Sequence, residues 1–106
     1  MDRLSRINML LEILVREPAD VFTNYALAIE YSSEGDSNKA EKQFLKVLEL
    51  ENEYLPCYYQ LGKLFEKQNK TGEALSYYNK GLELAKAQKN NKAINEINEA
   101  IWMLEE

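Results

Sequence analysis

The chain has 106 residues, with 13 Lys and Arg against 18 Asp and Glu, no histidine, one cysteine and a net charge of −5. Such acidity argues against nucleic acid, which needs a basic surface, and the missing histidine removes the commonest general base and metal ligand. No stretch approaches the ~18 apolar residues of a membrane span. The lone Cys57 cannot close an internal disulfide and the N-terminus is not signal-like, so a cytoplasmic location is expected. Met1 and a polar last helix lead to the expectation of a complete small protein.

Only two prolines and four glycines occur, and an abundance of Leu, Glu, Lys and Ala favours helix throughout. Six helices are predicted. The first runs from about Arg3 to Arg16, with Leu4, Ile7, Leu10 or Leu11, and Leu14 on one apolar stripe, and Pro18 stops it. Asp20 is the expected N-cap of the second helix, Val21 to Glu34, which Gly35 ends in a left-handed turn. Asp36 or Ser37 caps a third helix reaching about Glu51, with Ala40, Phe44, Val47 and Leu48 inward.

The fourth helix, about Leu55 to Gln68, tolerates Pro56 in its first turn, and Asn69 takes the place of Gly35. Thr71 is the expected cap of the fifth helix, which reaches about Ala87, with Lys86 and Lys89 complementing its negative end. A polar turn over Lys89–Lys92 leads to a last helix ending near Leu104. Ala93 or Ile94, Ile97, Ile101 and Leu104 form its apolar face.

Two stretches match at an offset of 34 residues. Leu27, Tyr31, Ala40, Phe44, Lys46, Leu48, Glu49 and Leu50 recur as Leu61, Phe65, Ala74, Tyr78, Lys80, Leu82, Glu83 and Leu84. Tyr25 recurs as Tyr59, and small Ala28 as Gly62. A period of this size means stacked copies of one supersecondary unit.

The second copy reads Tyr58-x₂-Leu61-Gly62-x₂-Phe65 followed by Ala74-x₃-Tyr78. The first reads Asn24-x₂-Leu27-Ala28-x₂-Tyr31 followed by Ala40-x₃-Phe44. In both, the chain resembles the tetratricopeptide repeat family. Asn24 departs from the pattern where a large aromatic is preferred, so looser packing of the first pair is expected. Asn52 and Lys86 replace the repeat-closing proline.

The resemblance implies an all-α fold, a right-handed α-α superhelix of stacked antiparallel helix pairs in a single domain. Its parts are a half-repeat helix over 1–18, repeats over 21–54 and 55–88, and a capping helix over 90–106, whose polar face Asn95, Glu96, Asn98 and Glu99 supply.

No catalytic residue, metal ligand or cofactor is expected. Cys57 has no imidazole partner and reads as a packing residue. The carboxylates at Glu49, Glu51 and Glu53, or Glu105 and Glu106, lack calcium-loop order and read as solvated helix ends.

In the family the first helix of each pair lines a concave face. The resemblance therefore implies a protein- or peptide-binding groove, with Phe22, Tyr25, Ile29, Tyr59, Lys63 and Lys67 as candidate contacts. The competing reading packs Phe22, Tyr25 and Ile29 against a terminal helix. Tyr25 and Ile29 stand where a carboxylate-clamp domain has lysine and asparagine, so that ligand class is not expected.

The function read here is a non-enzymatic interaction scaffold. The alternative is self-association as a homodimer, with Trp102 and Met103 as contacts, because two full repeats fall short of the usual three.

Overall fold

The computed structural model describes residues 1–105, and these form six α-helices and no strand. They are α1 (Arg3–Arg16), α2 (Val21–Glu34), α3 (Ser37–Leu50), α4 (Leu55–Lys67), α5 (Thr71–Ala87) and α6 (Asn91–Glu105). Glu106, included in the expected last helix, lies outside the described residues. The chain divides into two compact units, residues 1–52 and the remainder from Glu53. In the first, α2 packs against α1 and α3. In the second, α5 packs against α4 and α6.

Short polar side chains start most of the helices. Asp2, Asp20 and Asp36 accept from the backbone N–H of Ser5, Thr23 and Lys39 at 2.8, 2.9 and 3.1 Å, and Asn90 does the same for Ala93 at 3.1 Å. Each satisfies an N–H that the first helical turn leaves without a partner. Thr71, the expected cap of α5, stands one residue too late. Ala74 N–H already bonds to the carbonyl of Lys70 at 2.9 Å, so the helix begins at Thr71 itself.

The turns that close α2, α4 and α5 share one geometry. Gly35, Asn69 and Lys89 take positive φ of 89°, 61° and 56°. The next N–H reaches back five residues, to the carbonyls of Tyr31, Phe65 and Ala85 at 3.0, 2.9 and 2.9 Å. Such bonds occupy carbonyls that the helix end would leave bare. Lys89, expected as a charge at the helix end and the start of a polar turn, also takes left-handed backbone there.

In the first unit Leu27, Ala28, Ala40, Phe44 and Val47 are buried, with Ile7 added from α1. The α1 stripe sits differently from its sequence reading. Ile7 is buried and Leu10 and Leu14 half-buried, but Leu4 and Leu11 face solvent. Arg3 and Arg6 flank this face and reach Glu30 of α2 at 3.9 and 3.2 Å.

Asn24 does not loosen the first helix pair. It is 2% exposed. Its amide donates to the carbonyls of Pro18 and Asp20 at 3.1 and 2.8 Å and accepts from Gln43 of α3 at 2.6 Å. A buried amide is tolerated when its hydrogen bonds are made.

In the second unit the helices approach closely at glycine. A Cβ on Gly62 would lie 2.4 Å from the Tyr78 ring, and one on Gly81 would lie 3.1 Å from Tyr58 Cβ and 3.3 Å from Ile97 Cδ1. Tyr78 therefore fills the space over Gly62 and is fully buried, and Ile97 of α6 seats on Gly81 of α5. At the other end of the α4–α5 pair Phe65 and Tyr77 stack at 5.5 Å, with Lys70 over one ring and Lys80 over the other.

Two outcomes follow. Gly62→Ala overpacks the α4–α5 crossing at a cost of about 1–3 kcal/mol, of which helix propensity returns up to about 1 kcal/mol. Urea unfolding should show a lowered midpoint, and Gly62→Ala with Tyr78→Leu should lose less than the sum of the two single changes.

The hydroxyl and then the N–H of Thr23 bond to the Asp20 carboxylate and hold its pKa below the ordinary 3.8. That contribution is present above 3.8 and is lost as pH falls through the lower folded value. Asp20→Ala should therefore lower Tm at neutral pH, and the difference from the unsubstituted chain should close in strong acid.

Candidate functional site

Helix α2 presents the first set of candidate contacts. Phe22, in its first turn, is 69% exposed, so it does not pack against a terminal helix. Tyr25 is half-buried, its ring 5.9 Å from that of Phe44, and so packs on α3. Ile29 is half-buried.

On α4, Tyr59 is also half-buried, with its ring 6.0 Å from Tyr78. Lys63 is exposed and lays its ammonium 5.4 Å over the Tyr59 ring, while Lys67 is exposed one turn further on. The two tyrosines thus each serve the core with one edge and the surface with the other. Truncating either would damage packing as well as a contact surface.

The second unit holds a cleft of about 220 Å³ beside α4. Tyr59, Lys63 and Glu66 come from α4, Tyr78 from α5, and Glu96, Glu99, Ala100 and Met103 from α6. Its apolar part is made by Tyr59, Tyr78, Ala100 and Met103. Its rim carries three carboxylates against one ammonium.

Two of those carboxylates are engaged. Glu66 accepts from the Tyr78 hydroxyl at 2.8 Å, and Glu96 meets Lys92 one turn earlier at 4.0 Å. Burial first, and then the bond to Glu66, raise the Tyr78 pKa above the ordinary tyrosine value, so the hydroxyl stays a donor. Such a cleft can seat an apolar side chain and hold a cation at its rim.

The sequence located Tyr59 and Lys63 but not the contribution of α6, whose Glu96 and Glu99 were read as an outer polar face. They line the cleft instead. The missed signal is spacing. α6 begins 36 residues after α4, not 34. At that offset Ile94-x₂-Ile97-Asn98-x₂-Ile101 falls on Tyr58-x₂-Leu61-Gly62-x₂-Phe65, and Ile97 is buried as Leu61 is. α6 therefore has the register of a first helix.

Among the described residues no group of three His, Cys, Asp or Glu side chains is placed to hold a metal ion, and no helix is long and apolar enough to cross a membrane. Cys57 is fully buried in α4, and burial pushes its pKa up to about 12. The thiolate is the reactive form. A thiol reagent at neutral pH should leave the folded chain unlabelled and react fully in denaturant, and fast labelling of the folded chain would contradict this placement.

Residues 23–54 and 55–88 each match the tetratricopeptide repeat model. The chain is similar to a tetratricopeptide repeat domain protein from Salinibacter ruber, at 34% identity over 83% of this chain and 89% of that one, with a TM-score of 0.77 to its solution structure. A protein from Bordetella parapertussis shares the fold at 17% identity, 92% and 85% coverage and a TM-score of 0.84. The type III secretion translocator chaperone of Yersinia enterocolitica shares it at 12% identity, 93% and 69% coverage and a TM-score of 0.85. A search among curated proteins finds no match.

Proposed function

Because the chain belongs to the tetratricopeptide repeat family, we propose that it is a non-enzymatic scaffold that holds a peptide or helix of a partner protein on its first-type helices. Family members generally act as protein-binding scaffolds. On α2 the contacts are Phe22, Tyr25 and Ile29; on α4 they are Tyr59, Lys63 and Lys67.

The observation that carries this reading is the cleft of the second unit, with an aromatic floor and a net acidic rim beside α4. It favours a ligand segment with an apolar side chain next to Lys or Arg. Tyrosine at such a place gives area and a polar tip at low entropic cost. Cys57, buried and outside any disulfide, accords with a cytoplasmic location.

Peptides selected from a random display library on the immobilised chain should shift the amide resonances of Tyr59, Lys63 and Glu99. Glu99→Lys should weaken peptide binding about two- to fivefold, the size expected of an exposed rim charge, and reduce its salt dependence, at unchanged Tm. Selected peptides that leave these resonances in place overturn the reading.

A further inference from the structure

Two helices, α1 and α6, lie outside the matched repeats. α1 begins 34 residues before α3, so it has the register of a second-type helix, and α6 has that of a first-type one. Each therefore has a face that in the full repeats meets a partner helix.

On α4 that face is given by Tyr58, Gly62, Phe65 and Glu66, which meet Gly81, Tyr78, Tyr77 and Tyr78 of α5. The corresponding residues of α6 are Ile94, Asn98, Ile101 and Trp102. None is buried, and Trp102 is 64% exposed. On α3 the face is given by Gln43 and Phe44, which meet Asn24 and Tyr25. The corresponding residues of α1 are Met9 and Leu10, the first 44% exposed and the second half-buried.

The sizes at the crossing point are complementary. Gly62 faces Tyr78, and by the repeat offset Ala28 stands opposite Phe44. As the residue on the first-type helix grows, its counterpart shrinks. Asn98 and Leu10 continue the series. Arg6 stands where Ala40 and Ala74 do, but its guanidinium is turned aside onto Glu30 at 3.2 Å.

The two helices carry opposite net charge, Arg3, Arg6 and Arg16 against Glu12 on α1 and Glu96, Glu99 and Glu105 against Lys92 on α6, which steers their approach from a distance. Arg3 and Arg6 are held by Glu30, and Glu96 and Glu99 line the cleft, so the contact itself is mainly apolar.

We propose that α6 of one copy of this chain docks on α1 of a second copy, the two helices forming a composite repeat across the interface. The paired surfaces are unlike, so the contact is head-to-tail and extends to a ring or a chain of copies.

Trp102 is the sole tryptophan, so its emission reports α6 directly. As the intact chain is concentrated, sedimentation should show species above the monomer and Trp102 emission should shift to the blue, and added salt should slow association without abolishing it. Met9→Glu and Trp102→Lys alter exposed side chains and should each weaken association about tenfold or more, the effect of losing a central anchor. Mixed, the two variants still offer one intact α6 and one intact α1 and should form a one-to-one complex with blue-shifted emission.

A strict monomer at the highest attainable concentration overturns the proposal. So does association that survives both substitutions, since it uses another surface. If circular dichroism shows that a variant has lost helix, the concentration series of the unsubstituted chain decides, and associated copies with fully exposed Trp102 emission overturn the pairing.

Discussion

The crossing of α4 and α5 is governed by what Gly62 lacks. A Cβ there would sit inside the Tyr78 ring's contact distance, so the glycine sets the helix separation and the tyrosine fills what the glycine leaves. Interiors packed to crystal density have no slack for a mismatched pair. Much else in the unit hangs on that depth. Tyr78 is carried far enough inward for its hydroxyl to meet Glu66 and its ring to meet Tyr59.

The cleft is a product of the same arrangement. Gly81 lets Ile97 settle on α5, which brings the Glu96, Glu99 and Met103 side of α6 into line with Tyr59 and Lys63. Core positions thus decide where surface charge collects. The carboxylates are placed by glycines and an isoleucine that never touch a ligand, which ties recognition to packing more closely than the exposed residues alone suggest.

How far the fold was legible varied with its cause. Local backbone chemistry was readable: Pro18 marked the end of α1, and Asp20 and Gly35 the bounds of α2, because caps, left-handed turns and proline breaks depend on one or two residues. Thr71 misled because Lys70 already starts α5 with its carbonyl, which no side-chain preference reveals. Leu4 misled because α1 is apolar on more than one side, and the side that faces α2 is the one that buries Ile7, flanked by the pairs of Arg3 and Arg6 with Glu30. The candidate site was half legible. Tyr59 and Lys63 followed from the repeat, whereas Glu99 and Met103 were hidden by the longer α5 and its short exit, which move α6 two residues out of period.

Asn24 has a consequence beyond its own hydrogen bonds. Two similar helix pairs in one chain risk exchanging partners while they fold. The first pair is keyed by an amide, Asn24 to Gln43, and the second by rings and glycines, with Tyr58 against Gly81 and Tyr77 against Phe65. Were α2 to pair with α5 in the same register, Asn24 would face Tyr77 instead of Gln43 and lose that bond, and a buried polar group left unpaired costs about 1–3 kcal/mol. The residue that departs from the repeat pattern therefore biases α2 toward its own neighbour.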